Sequence, residues 1–155
     1  MKKLPYKEGT WFIVPLKCEG FAVGIAARVA PRGKILLAYF FGPQRDKIPK
    51  LEELSSLTAD QAILTLMVGD LGLINGQWQI IGQHENWKRE DWPMIDFVRR
   101  EEREIPVYYL VKYSDDDPSK RPLETQITLE ESIGLQTDSL SGFGAAEIKL
   151  SKLLC

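Results

Sequence analysis

TWFIVPLKCEGFAVGIAARVAPRGKILLAYFF, the stretch from Thr10 to Phe41, decides the fold. Three apolar runs follow one another here, at residues 10–16, 21–30 and 35–41, with short turn-forming tracts at 17–20 and 31–34 between them. Apolar runs of this length, bounded by Gly, Pro and charged residues, read as strands of an antiparallel meander. In the middle run Phe21, Val23, Ile25, Ala27 and Val29 alternate onto one face, while Ala22, Gly24, Ala26 and Ala30 leave the other nearly bare, interrupted only by Arg28. The bulky face is expected in a core, and the small face is open to the close approach of another element's backbone. Pro15 removes a ladder donor, which suits an edge strand or a bulge. The third run is apolar on both faces and is expected to be the central strand, ended by Gly42-Pro43.

The rest of the chain is placed around this meander. Leu51, Leu54 and Leu57 have helical spacing, Thr58-Ala59-Asp60-Gln61 has the form of a capping box, and residues 62–68 read as a buried strand ending at Gly69. Residues 70–76 read as a compact turn whose Asn75-Gly76 pair signals a hairpin into a strand over 78–81, closed by Gly82. Strands are expected at 94–98 and 107–113, joined through the charge run 99–104 as a solvated hairpin end, and residues 123–140 show no regular period. From about Gly142, with Ser141 as its cap, Phe143, Ala146, Leu150 and Leu153 recur at helical spacing. Glu147, Lys149 and Lys152 are expected on the solvent side of that helix. The fold class is α+β and β-rich: a twisted antiparallel sheet or partly open barrel with a C-terminal helix packed on it.

Length and charge narrow the function classes. One domain of 155 residues buries a core without disulfides or metal. Twenty basic and 22 acidic residues, a formal charge of −2, give no field that favours nucleic acid or an anionic membrane. The opening Met1-Lys2-Lys3-Leu4-Pro5 leads into no apolar core of signal type, and no apolar run approaches the roughly 20 residues that span a bilayer, so a cytoplasmic protein is expected. Cys18 in a turn and Cys155 at the last position are expected as free thiols.

The search for chemistry yields little. A single histidine, His84, and two distant cysteines make none of the usual closed zinc sites, no Gly-rich phosphate loop is present, and Ser139 and Ser141 lack a nucleophile elbow. No metal, cofactor or catalytic residue is assigned. The most site-like loop is 83–93, where Trp87 and Trp92 stand among charged residues, either as apolar plugs over the end of the sheet or as anchors for a partner. Asp115, Asp116 and Asp117 in a polar loop, and the pair Glu130 and Glu131, are the acidic candidates for steering a basic partner.

Several blocks along the chain carry a family resemblance. The opening Gly9-Thr10-Trp11-Phe12-Ile13-Val14-Pro15-Leu16 with the strand around Gly24 is one, and Asp70-Leu71-Gly72-Leu73 with Gly76-Gln77-Trp78-Gln79-Ile80-Ile81-Gly82 is a second. The closing Gly142-Phe143-Gly144-Ala145-Ala146-Glu147-Ile148-Lys149-Leu150 is a third. Together they resemble the immunity protein 26 family of bacterial polymorphic-toxin systems. The resemblance implies a single immunity-type domain over 1–155, made beside a secreted toxin, that binds the toxin and protects the producing cell and its kin without catalysis. The seven candidate binding residues are then Trp87, Trp92, Asp115, Asp116, Asp117, Glu130 and Glu131. The family name is also attached to a phosphotriesterase, which makes a small phosphotriester hydrolase the alternative, and the absence of a histidine-rich cluster counts against it. A nucleic-acid-binding β-barrel is a third reading, and the charge balance disfavours it. The oligomeric state is left open.

Overall fold

A computed structural model describes residues 3–155, so Met1 and Lys2 of the opening tract lie outside the described residues. The meander forms as the alternation demands. Strand β1 (Thr10–Pro15) pairs antiparallel with β2 (Phe21–Val29), and β2 with β3 (Ile35–Arg45), in a register that sets Phe12 opposite Gly24 and Gly24 opposite Phe40. The central strand expected at 35–41 is β3, but Gly42-Pro43 does not end it. Pairing with the next strand stops at Phe40, so Pro43 sits where its missing donor costs no ladder bond on that side, and the strand runs on to Arg45 opposite Phe21. Pro15 lies at the last position of β1, beyond the residues that pair with the outer neighbour, which is edge-like as expected.

After α1 (Leu51–Leu54) and a 3-10 turn at Ala59–Gln61 bearing the Thr58 capping box, β4 (Leu64–Gly69) pairs with β3. Residues 62–68 are therefore mainly strand. Asn75-Gly76 does not make a hairpin. It closes the short helix α2 (Leu71–Ile74), with Gly76 at φ +82°, and β5 (Ile80–Gln83) then pairs with β1 at the opposite edge of the sheet. Trp78 precedes β5 and is fully buried.

A second sheet follows, from β6 (Phe97–Glu101), β7 (Val107–Lys112) and β8 (Leu123–Ile127). Residues 123–140 are regular, against expectation. They hold β8, α3 (Leu129–Ser132), β9 (Gln136–Thr137) and β10 (Leu140–Ser141) in pieces too short to show a period. The six-stranded sheet has the order β10-β4-β3-β2-β1-β5 and the four-stranded one β8-β7-β6-β9. Both are mixed, since β10 runs parallel to β4 and β9 parallel to β6. Neither closes, and the C-terminal helix α4 (Phe143–Leu154) completes the β-rich α+β fold. No helix among the described residues is long and apolar enough to cross a membrane.

Each face of the large sheet has its own core. On one, Phe12, Val14, Ala26, Leu36 and Phe40 pack with Trp78 and with Ala146 and Leu150 of α4. On the other, Trp11, Val23, Ile25, Leu37, Tyr39 and Phe41 pack with Leu54, Trp92, Phe97 and Val111, so the second sheet is fastened to the first through the Phe97 and Val111 end of its strands. The small face of β2 admits aromatic rings, not a backbone: a Cβ on Gly24 would lie 2.5 Å from the Phe12 ring. A bulge between Ala26 and Arg28 shifts the alternation, so Val29 packs with the Trp78 core and Arg28 reaches the Trp92 side.

Three further expectations are corrected. Glu147 is 7% exposed, because its carboxylate accepts from the Trp78 indole at 3.0 Å and from Lys17 at 3.3 Å. Ser141 belongs to β10, and Gly142 is the N-cap of α4 without a side-chain cap, while the Ser141 hydroxyl accepts from Lys149 at 2.8 Å. Cys18 and Cys155 are not free but joined in a disulfide, their Cα atoms 5.9 Å apart, since α4 ends over the β1–β2 turn. A separation of 137 residues along the chain gave no sign of that closeness.

Candidate partner-binding surface

The loop at 83–93 is fixed to the sheet before it can present anything. The His84 backbone N–H donates to the Gly9 carbonyl at 2.8 Å, and its ring stacks on Trp11 with centroids 5.8 Å apart. Nδ1 of His84 accepts from the Asn86 N–H at 3.1 Å, and burial lowers the histidine pKa against the opposing pull of Asp91 and Glu85. Both effects favour a neutral ring with its proton on Nε2. Trp92, 3% exposed, meets Trp11, Tyr39 and Phe41 edge-on at 6.0, 5.4 and 6.0 Å. Trp87 is half-buried and stacks on Trp92 at 6.0 Å. The two tryptophans thus form a plug in which Trp92 is the inner layer and Trp87 the outer. A shallow cavity of about 630 Å³ beside them is lined by Thr58, Asp60, His84, Asn86, Asp91 and Trp92.

The three consecutive aspartates have separate roles. Asp115 accepts from Arg28 Nε at 2.7 Å and from an Arg89 terminal nitrogen at 2.5 Å, while Arg89 Nε donates to Glu8 at 2.9 Å. The Arg28 side chain is only 4% exposed, so this contact fastens the loop after β7 to the C-terminal end of β2. The Arg28 guanidinium, with Arg89 beside it, holds the Asp115 carboxyl below the usual carboxylate range even though partial burial opposes the shift. Asp117 accepts from the Ser119 N–H at 3.0 Å and from its hydroxyl, a local turn contact, and Asp116 is exposed. Glu130 and Glu131 are exposed in the first turn of α3, where Glu131 and Thr128 form a reciprocal capping box with both contacts at 3.1 Å.

The structure does not bring the seven candidates together. Trp87 and Trp92 cover one end of the large sheet, Asp115 braces the join between the sheets, and Glu130 and Glu131 lie with the second sheet. Among the described residues no group of three His, Cys, Asp or Glu side chains is placed to hold a metal ion.

Residues that sequence reasoning passed over are conspicuous on the second sheet. Ile105, Leu123 and Ile133 are the most exposed large apolar side chains among the described residues, at 81, 76 and 74%. Ile105, alone between Glu104 and Pro106, was a visible exception in its charge run. The description of the immunity protein 26 family matches residues 7–105, which hold five of the six large-sheet strands, β1 to β5, together with β6. The chain belongs to the immunity protein 26 family. Within this family member, β7, α3, α4 and the strands β8 to β10 follow the matched residues. No curated protein and no solved structure matches the chain.

Proposed function

We propose that this immunity protein binds a cognate bacterial toxin domain encoded beside it and neutralises it by occlusion, as one domain over 1–155 and without catalysis. The observation that carries the reading is the family match over residues 7–105. A rigid scaffold supports it: occlusion needs a pre-formed surface, and the large sheet is covered on both faces by packed side chains. Of the candidate residues, Asp115, Asp116, Glu130 and Glu131 are exposed, Trp87 and Asp117 are partly so, and Trp92 supports Trp87 from beneath. A cytoplasmic site of action belongs to the proposal and bears on Cys18–Cys155, because a reducing cytosol opens such pairs. The helix end would then be held by Ser151 Oγ, which accepts from the Lys17 N–H at 2.8 Å, and by the Lys17–Glu147 contact.

The test is co-expression in a toxin-sensitive bacterium. The C-terminal domain of the secreted protein encoded next to this chain is induced with and without it. Restored growth together with co-purification of the two proteins supports the reading, and continued killing at equal expression sinks it.

A further inference from the structure

We propose that the free end of the second sheet, built from the β6–β7 turn and the first turn of α3, is the surface that docks a basic face of the toxin domain. The inference rests on the immunity reading and adds where the toxin binds and what charge it presents.

The register places the surface. Phe97 pairs with Val111 inside the second core, and the ladder then runs outward through Arg99 and Tyr109 to Glu101 and Val107. Four steps at about 3.3 Å carry the turn at 102–106 roughly 13 Å beyond the buried pair. Ile127 stands opposite Tyr108, so α3 begins at this same end, and it lies against β7. Ile105 and Leu129, 81 and 54% exposed, are therefore presented together with Glu102, Glu104, Glu130 and Glu131.

Charge is segregated in the same direction. Residues 99–106 and 123–133, which include the β6–β7 turn, β8 and α3, contain six acidic and three basic residues, a formal −3, while the remainder of the chain carries +1. Arg100 and Arg103 are spent on Glu102 and Glu101, at 3.0 and 2.8 Å. Among the described residues Glu104, Glu130 and Glu131 make no ion pair. Apolar side chains ringed by unpaired carboxylates suit a protein surface that offers lysines or arginines around an apolar recess, the carboxylates steering encounter and the apolar groups holding the complex. The position also fits the demand for discrimination. All of this surface except the β6–β7 turn lies beyond residue 105, where the matched family residues end, so it can vary with the toxin while the scaffold is kept.

The experiment uses the full chain and, as probe, the purified and catalytically inactivated C-terminal domain of the neighbouring secreted protein. Titration calorimetry compares the wild type with Glu104→Lys/Glu130→Lys/Glu131→Lys, with Ile105→Ser/Leu129→Ser, and with Glu52→Lys/Glu53→Lys on α1 as a control. Each tip variant is expected to bind at least about 30-fold more weakly, the control within about threefold, and the wild-type on-rate to fall as salt rises. Hydrogen exchange on the wild-type complex, which needs no variant, is expected to slow at residues 101–106 and 128–133. A wild type that binds while both tip variants bind equally well, with no protection at those residues, overturns the surface and leaves the immunity reading intact. A wild type that does not bind overturns the reading first and the surface with it. A self-associated protein whose dimer is broken by the tip substitutions assigns the surface to a second copy and overturns the toxin docking.

Discussion

The Trp78 indole N–H donates to Glu147 Oε2 at 3.0 Å, and with both residues buried this bond ties the segment before β5 to the C-terminal helix. Trp78 in turn stacks on Phe12 with centroids 5.5 Å apart and an angle of 9°, so the contact orients the ring at the centre of one core. The other Glu147 partner, Lys17, is 58% exposed and adds little by comparison. Glu147→Leu leaves a buried indole donor unpaired and is expected to cost about 2–3 kcal/mol, whereas Glu147→Gln, which keeps an acceptor, should cost about 1 kcal/mol or less. Urea unfolding followed by tryptophan fluorescence separates the two. Equal losses would show that the side chain acts through packing alone.

Gly24 is required by its neighbours and not by its backbone. An added Cβ would lie 2.5 and 2.6 Å from two Phe12 ring atoms and 3.1 Å from Phe40. Both rings are fully buried, so neither has free space to move into. Gly24→Ala is expected to destabilise by about 2–3 kcal/mol despite the better strand propensity of alanine. Adding Phe12→Leu should make the double variant more stable than the sum of the single losses implies, a coupling that a double-mutant cycle measures. Additive losses would mean that Phe12 is not the obstacle.

How far the fold could be read in advance follows from such contacts. The meander was legible because its alternation is uninterrupted over three runs, and β3 was placed centrally because both its faces are apolar. What was hidden depends on partners far along the chain. Glu147 looked solvent-facing until Trp78 and Lys17 were placed beside it, Arg28 changed side because of a bulge, and Cys18 met Cys155 across 137 residues. Part of the second sheet was hidden for another reason: β6 and β7 were expected at 94–98 and 107–113, but β8 is exposed at four of its five positions and so shows no apolar alternation, and β9, like β10 of the large sheet, is two residues long. On the candidate surface, the plug reading of Trp92 was available from composition. The bracing role of Asp115 was not, since its partners Arg28 and Arg89 lie 87 and 26 residues away.

The disulfide closes nearly the whole chain into a loop, which restricts the unfolded ensemble more than a short loop does. Cys155→Ser, or the wild type under a reducing agent, is expected to lose about 2–4 kcal/mol and to remain folded, because the Lys17 N–H still reaches Ser151 Oγ at 2.8 Å. Thermal melts with and without reductant check the first point. The hydrogen-exchange protection of α4 checks the second, and complete loss of protection on reduction would show that the helix depends on the covalent tie.

The Arg28–Asp115 pair gives stability a defined pH dependence. Its partners hold the Asp115 carboxyl below the usual carboxylate range, so the native state binds this proton less readily than the unfolded chain does. A depressed folded-state pKa contributes stability that is complete above the unfolded value, from about pH 5 upward, and is lost as pH falls through the folded value. The aspartate side chain is 53% exposed, which screens the pair, while Arg28 at 4% has few other partners once Asp115 is neutral. Asp115→Asn is therefore expected to lower stability by about 1–2 kcal/mol at neutral pH, less than a fully buried pair would lose. The gap between variant and wild type should narrow as pH falls past the ordinary aspartate range and close as it passes through the lowered folded value, where the wild-type carboxylate is itself protonated. Melting curves of both proteins at pH 7, 5 and 3 measure the gap directly. A gap that stays constant across that range would mean that Asp115 stabilises through its hydrogen bonds alone, with no part for its charge.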